Sequence, residues 1–219
     1  MSLRRGLRQL PHQLAALLRD LPLFLFAPAI RGRHLRWGAT HAEVAARLPG
    51  DDQVPGAQFV ATRGIDIAVP PADVWPWLVQ VGAGRAGWYS HDLLDNLGKP
   101  SATEIIAPLQ HLAPGDWVPM SPFGTPSEKT AFRVESMRPP ELMVWTKPDS
   151  VWVWQLTATP AGTRLVTRVH VRYDWRRPWL AVFGVLLMEF GDFAMQRRML
   201  RGITQRAESL ARRGSSGPS

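Results

Sequence analysis

Apolar residues recur at every second position in Ile65, Ile67 and Val69, the pattern of a half-buried strand, and the alternation stops at Pro70-Pro71. Val74, Trp77, Leu78 and Val81 then follow helical spacing. Asp73 is placed to cap the helix that carries them, and Gly82, Gly84 and Gly87 end it. Beyond Gly98 the pattern returns to short alternating runs. These predict antiparallel strands over Asp116 to Met120, Lys129 to Arg138, Glu141 to Lys147, Val151 to Thr159 and Thr163 to Asp174, with turns at Pro139-Pro140 and Pro160-Ala161-Gly162. In the last strand Leu165, Thr167, Val169, Val171 and Tyr173 share one face. Arg164, Val166, Arg168, His170, Arg172 and Asp174 share the other, which is expected to meet solvent or the N-terminal segment.

From Pro178 to Arg213 only Gly184, Gly191 and Gly202 interrupt a helical pattern, which predicts one long helix with room for a kink. Phe183, Leu186, Leu187, Phe190 and Phe193 give its first half a wide apolar face, whereas arginines surround a thinner stripe beyond Met195. The first half is therefore expected to be the more deeply buried. Gly214 to Ser219 has the composition of an unstructured tail.

At the other end, Thr40 and Glu43 have the capping-box spacing, so a short helix should follow Thr40, and a polar loop leads to a domain starting near Gln58. Residues 1–57 then form an N-terminal extension to a domain over residues 58–213. Its greasiest part, Leu21 to Ile30, is half the roughly 20 residues a spanning helix needs and holds Pro22 and Pro28. No A-x-A cleavage site follows it. The segment either packs on its own protein or lies in a membrane interface with Phe24, Phe26 and its arginines.

Composition changes this picture in three ways. Without cysteine the chain of 219 residues has no disulfide, thiolate nucleophile or zinc–thiolate site. The formal charge of +8 is concentrated at the ends, since residues 1–36 hold seven Arg against Asp20, and the middle carries more acids than bases. With no RNP, zinc-finger or Walker pattern there, nucleic acid is not an expected partner, and anionic lipid headgroups fit the basic ends equally well. Arginine outnumbers lysine 23 to three, a bias of high-GC bacterial genomes.

The strings RWGAT (Arg36 to Thr40), RLPGDD (Arg47 to Asp52), VWPWLVQVG and GRAGWYSHDLLDN, in this order of elements, resemble the START/SRPBCC superfamily and, more narrowly, a bacterial polyketide cyclase/dehydrase-like subfamily. The resemblance covers about residues 58–213. It implies an α+β helix-grip (START/Bet v1-like) fold, with a curved antiparallel sheet wrapped around the C-terminal helix and an apolar ligand cavity between them. It implies no established catalytic residues and no cofactor, because the superfamily spans carriers, receptors and enzymes.

Ten tryptophans suit such a cavity. Trp77, Trp88, Tyr89, Trp145, Trp152, Trp154, Tyr173 and Phe190 are the candidate ligand-binding residues, each equally able to be plain core. For chemistry, His91 and Asp95 would share a helical face as an oriented general base, although such a pair is more often a surface hydrogen bond. Metal binding is not expected, because no further His pair sits at ligand spacing. Glu189 and Asp192 interrupt an apolar helix and need partners: either a ligand in the cavity, or arginines such as Arg36, Arg63 or Arg85.

Binding or carriage of a hydrophobic small molecule or lipid is thus the first expectation, without catalysis. A polyketide cyclase/aromatase-like enzyme using His91 with Asp95, or Glu189, Tyr173 and His170, is the second, although strand parity puts His170 on the outer face. A membrane-surface protein working through residues 1–36 is the third. The expected location is the cytoplasm, with the inner membrane face as the place of any peripheral contact.

Overall fold

The computed structural model describes residues 3–215. Six strands form one antiparallel sheet in the order β1-β6-β5-β4-β3-β2: β1 Phe59–Ile67, β2 Trp117–Pro119, β3 Ala131–Arg138, β4 Leu142–Lys147, β5 Ser150–Thr159 and β6 Gly162–Val171. The strand order follows from hairpin connections, with β1 returning to pair with the last strand from Phe59 opposite Val171 to Ile67 opposite Thr163. A bulge between Val134 and Ser136 shifts the β3–β4 register, and bulges of this kind bend and twist a sheet locally.

Helices α1 (Leu3–Leu25), α2 (Arg31–His34) and α3 (His41–Ala45) precede the sheet. Between β1 and β2 lie α4 (Pro71–Val79) and the single turn α5 (Asp92–Asp95). The C-terminal helix is unbroken but not uniform: α6 (Pro178–Leu186) passes through a π-helical turn at Leu187–Asp192 into α7 (Phe193–Ser215). The helix thus runs into the Gly-Ser stretch expected to be unstructured. Residues 216–219 lie outside the described residues.

The inner face of the sheet packs on α4 and α7. Phe59, Ala61 and Ile67 of β1 meet Trp152, Trp154 and Leu165 from the neighbouring strands, and Leu200, Ile203 and Ala207 of α7 close over them. Alternation along β1 and β6 therefore reads as expected. The outer face is covered by residues 48–57, where Leu48 and Val54 pack on Leu142, Val144, Val151 and Val153. Arg168 there is a hub. Its guanidinium donates to the Ala46, Glu43 and Val44 carbonyls and reaches Asp51 at 2.7 Å, while Arg164 pairs with Glu43 at 2.8 Å. The polar face of the last strand thus meets the N-terminal segment, one of the two outcomes foreseen for it. Edge pairing continues the same attachment, since Thr62 and Gly64 donate to the carbonyls of Leu35 and Trp37.

Two expectations are corrected. Asp73 does not cap α4; Pro70 takes that place in an extended conformation and Asp73 lies in the first turn. The capping box at Thr40 and Glu43, by contrast, forms with both reciprocal bonds. The first half of the C-terminal helix is the exposed half. Trp179 and Phe183 are 70% and 64% exposed, while Phe193, Leu200 and Ile203 are buried. The reason is geometric: the sheet grips only α7, and α6 projects past its edge. Helix α1 runs continuously through Pro11 and Pro22.

Candidate functional site

Between sheet and helices the aromatic residues form a single packed cluster. Trp145 and Trp154 are fully buried, as is Trp77 from α4, and Trp88 and Trp152 are nearly so. The Trp152 and Trp154 ring centroids are 4.7 Å apart in a stack, Trp88 lies parallel to Trp152 at 5.9 Å, and Trp145 meets Trp152 edge-on at 5.7 Å. Sequence parity explains the set: Trp152 and Trp154 are two apart on β5, and Trp145 is the cross-strand partner of Trp152. The tryptophans expected to line a cavity are therefore packed against one another in the place that the cavity would take.

Their polar atoms are unequally treated. Trp152 donates its indole N–H to the Thr167 hydroxyl at 2.7 Å. The indole nitrogens of Trp77, Trp145 and Trp154 are buried without an acceptor among the described residues. Tyr89 is fully committed, since its hydroxyl donates to the Trp77 carbonyl and accepts from Gln80 at 2.8 Å. Burial pushes its phenol up to about 12, and Arg206 lies over its ring at 4.5 Å.

A second polar group lies under the π-turn. Arg63, on the inner face of β1 and fully buried, donates to the His34 carbonyl at 2.9 Å and to the Gln196 side-chain oxygen, pairs with Asp192 at 2.7 Å and sits over the Phe193 ring. Asp192 thus takes Arg63, one of the three arginines named for it. Arg31, an arginine that sequence reasoning did not name, donates its Nε–H to both carboxylate oxygens of Glu189, each at 2.9 Å. His34 is fully buried with both ring nitrogens unpartnered, and burial, aided by Arg63, holds its pKa below the ordinary histidine value. Tyr173 is nearby; burial and the Glu189 carboxylate push its phenol up to about 12. A signal for Arg63 existed, because it shares strand parity with Phe59, Ala61, Ile65 and Ile67. None existed for His34 or Gln196.

The proposed His91–Asp95 pair does not form. The His91 ring instead lies 3.2 Å from Asp20 of α1, which also takes Arg198 at 3.3 Å, and packs on Phe24. Burial and the Arg198 charge lower its pKa. Asp95 sits in a separate buried spot where desolvation, helped by the Asp92 carboxylate, pushes it up to about 7. A long-range partner from α1 outcompetes the local spacing. Phe190 is also misplaced, being 39% exposed on the outer side of the π-turn. His170 lies on the outer face, 3.3 Å from Asp51, as parity required. Among the described residues no group of three His, Cys, Asp or Glu is arranged to hold a metal. A surface cleft of about 500 Å³ between Pro70-Pro71 and Arg138, Glu141 and Thr157 involves none of the candidate residues.

The architecture is a helix-grip α+β fold, with an aromatic interior between the sheet and its closing helix. No family model matches the chain, and no curated protein matches it. Among solved structures it is similar to a Nitrosomonas europaea protein at 14% identity and a TM-score of 0.42, covering 69% of this chain and 96% of that one. It is also similar to a Rhodobacter sphaeroides protein at 16% identity and 0.42, covering 71% and 96%. A polyketide cyclase-like protein from Corynebacterium glutamicum matches at 17% identity and 0.34, covering 72% and 90%. The fold assignment rests on this chain's own strand order and helix placement.

Proposed function

We propose that the protein binds and carries an apolar small molecule bearing at least one hydrogen-bond acceptor, held between the inner face of the sheet, α4 and α7. The observation that carries this reading is the trio of buried indole N–H groups, of Trp77, Trp145 and Trp154, without an acceptor among the described residues. Each costs about 1–3 kcal/mol when desolvated unpaired. A guest that slides between the rings and accepts from them recovers that cost and adds apolar burial at roughly 25 cal/mol per Å². The stacked geometry favours a flat or extended guest, which can replace one ring contact with another. Entry requires the rings to part, so binding is expected to be slow.

A binding role without covalent chemistry is supported by the engagement of three of the five nominated acid/base groups elsewhere: His91 by Asp20, Glu189 by Arg31 and His170 by Asp51. The test is native mass spectrometry of freshly purified protein, followed by denaturing extraction of what it carries. A stoichiometric organic adduct is expected. Trp145→Phe and Trp154→Phe, which keep the ring stack and delete a donor, should lower its occupancy about tenfold, the equivalent of one hydrogen bond of roughly 1.4 kcal/mol. A bare mass together with no uptake of hydrophobic probes would overturn the reading.

A further inference from the structure

We propose that α6 and the outward stripe of α1 form a docking surface for an anionic lipid bilayer. The observations are separate from those behind the ligand reading. Along α1 the side chains at Gln13, Asp20 and Phe24 face the protein, where Gln13 donates to the Gly98 carbonyl, Asp20 pairs with His91 and Phe24 packs on its ring. Leu14, Leu18, Leu21 and Leu25, spaced four, three and four residues apart, form a separate stripe beside that face, and all four are exposed. In α6 Trp179, Val182, Phe183 and Leu186 are exposed, and their i, i+3, i+4, i+7 spacing puts them on one face. The two elements meet at the π-turn, where Arg31 grips Glu189 and Phe26 and Phe190 are exposed on either side. A joined apolar surface on this scale marks an interaction site.

Charge selects the partner. No Asp or Glu occurs from residue 21 to 42 or from 175 to 188. Arg33 and Arg36 after α1, and Arg176 and Arg177 at the start of α6, are exposed and make no ion pair with a described carboxylate. A second copy of the chain docked about a two-fold axis would set these four arginines against themselves with only Asp174, which already accepts from the Arg176 amide, beside them. Phosphate headgroups neutralise them, and Trp175 and Trp179 beside the arginines are residues suited to the headgroup level.

Length sets the depth. By length and composition Pro178–Gly214 passes as a membrane span. Yet only the nine residues of α6 stand clear, because Asp192 of the π-turn is already paired with Arg63 of β1, and nine helical residues extend about 14 Å, short of a hydrocarbon core of roughly 30 Å. The geometry is that of insertion into one leaflet.

The experiment is co-sedimentation of the full-length protein with phosphatidylcholine vesicles and with vesicles that also contain phosphatidylglycerol. Binding to the anionic vesicles alone, weakened at about 0.5 M NaCl, is expected. Trp179→Glu with Phe183→Glu should reduce it at least tenfold or so, since a charge is unwelcome in the interface, with circular dichroism and melting temperature unchanged because both side chains are exposed. Arg176→Gln with Arg177→Gln should weaken it severalfold and flatten its salt dependence. Failure of the wild type to bind anionic vesicles, equal binding to both vesicle types, or undiminished binding by the glutamate variant would overturn the proposal. So would a solution dimer that the glutamate variant splits into monomers, which would assign the surface to self-association.

Discussion

Single residues in this molecule take their character from partners far away in sequence. Asp95 and His91 were adjacent enough to be read as a functional pair, yet Asp20 claims the histidine and Asp95 is left to desolvation, which raises it to about 7. A carboxyl whose folded pKa exceeds its unfolded value is protonated in the native state while the unfolded chain has already ionised. It therefore lowers stability progressively as pH rises from about 4 to about 7, and the loss is complete above that. Asp95→Asn is expected to stabilise the protein by about 2–4 kcal/mol at pH 8 and hardly at all at pH 4. Urea denaturation at the two values checks it. Equal effects at both would mean that the carboxyl is ionised in the fold.

At the scale of elements, the close approach of α7 to the Trp88–Tyr89 segment fixes how tightly the aromatic interior is closed. Gly202 is the contact point: a Cβ placed there would overlap the Tyr89 backbone carbonyl oxygen and press on its Cβ. Backbone cannot yield as a flexible side chain would, so the helix would have to move. Gly202→Ala is expected to cost about 1–3 kcal/mol despite its gain in helix propensity, read as a lower melting temperature, and to move the tryptophan near-UV circular dichroism as the helix lifts from the rings. The π-turn has a related part in the fold. It changes the helix surface between the exposed α6 and the buried α7, and it carries Glu189 and Asp192 to Arg31 and Arg63. Periodicity from Pro178 onward showed the helix but could not show this change of environment, because Phe183 and Phe193 are equally apolar as letters.

For the whole molecule, the attachment of the N-terminal segment governs the response to acid. His34 lies beneath it, His91 is held by α1, and His170 meets the loop at Asp51. Burial lowers all three below the ordinary value of 6.5. In the unfolded chain they take up protons as pH falls through 6.5, whereas in the fold they stay neutral to lower pH, so their contribution is present above 6.5 and is lost below it. Asp95 works in the opposite direction over part of the same range. Global stability is expected to fall between pH 6.5 and about 5, and more steeply in Asp95→Asn, which removes the opposing effect. Thermal melts across this range check it, and a flat profile would mean that the three rings are not desolvated together.

Period-two alternation was enough to mark all five strands after α4 and to assign the faces of β6, because a sheet buried on one side imposes that repeat directly on the chain. The capping box at Thr40 was equally legible, since its bonds join residues three apart. Tryptophan spacing on β5 placed the rings indoors, but not whether they would enclose space or pack together, which depends on cross-strand neighbours. Only the tertiary structure decided that Arg63 would be buried beside Asp192, that His91 would turn to Asp20, and that α6 would stand clear of the sheet. Those outcomes depend on where a finite sheet ends and on contacts between residues 71 and 129 positions apart, quantities that no local pattern encodes.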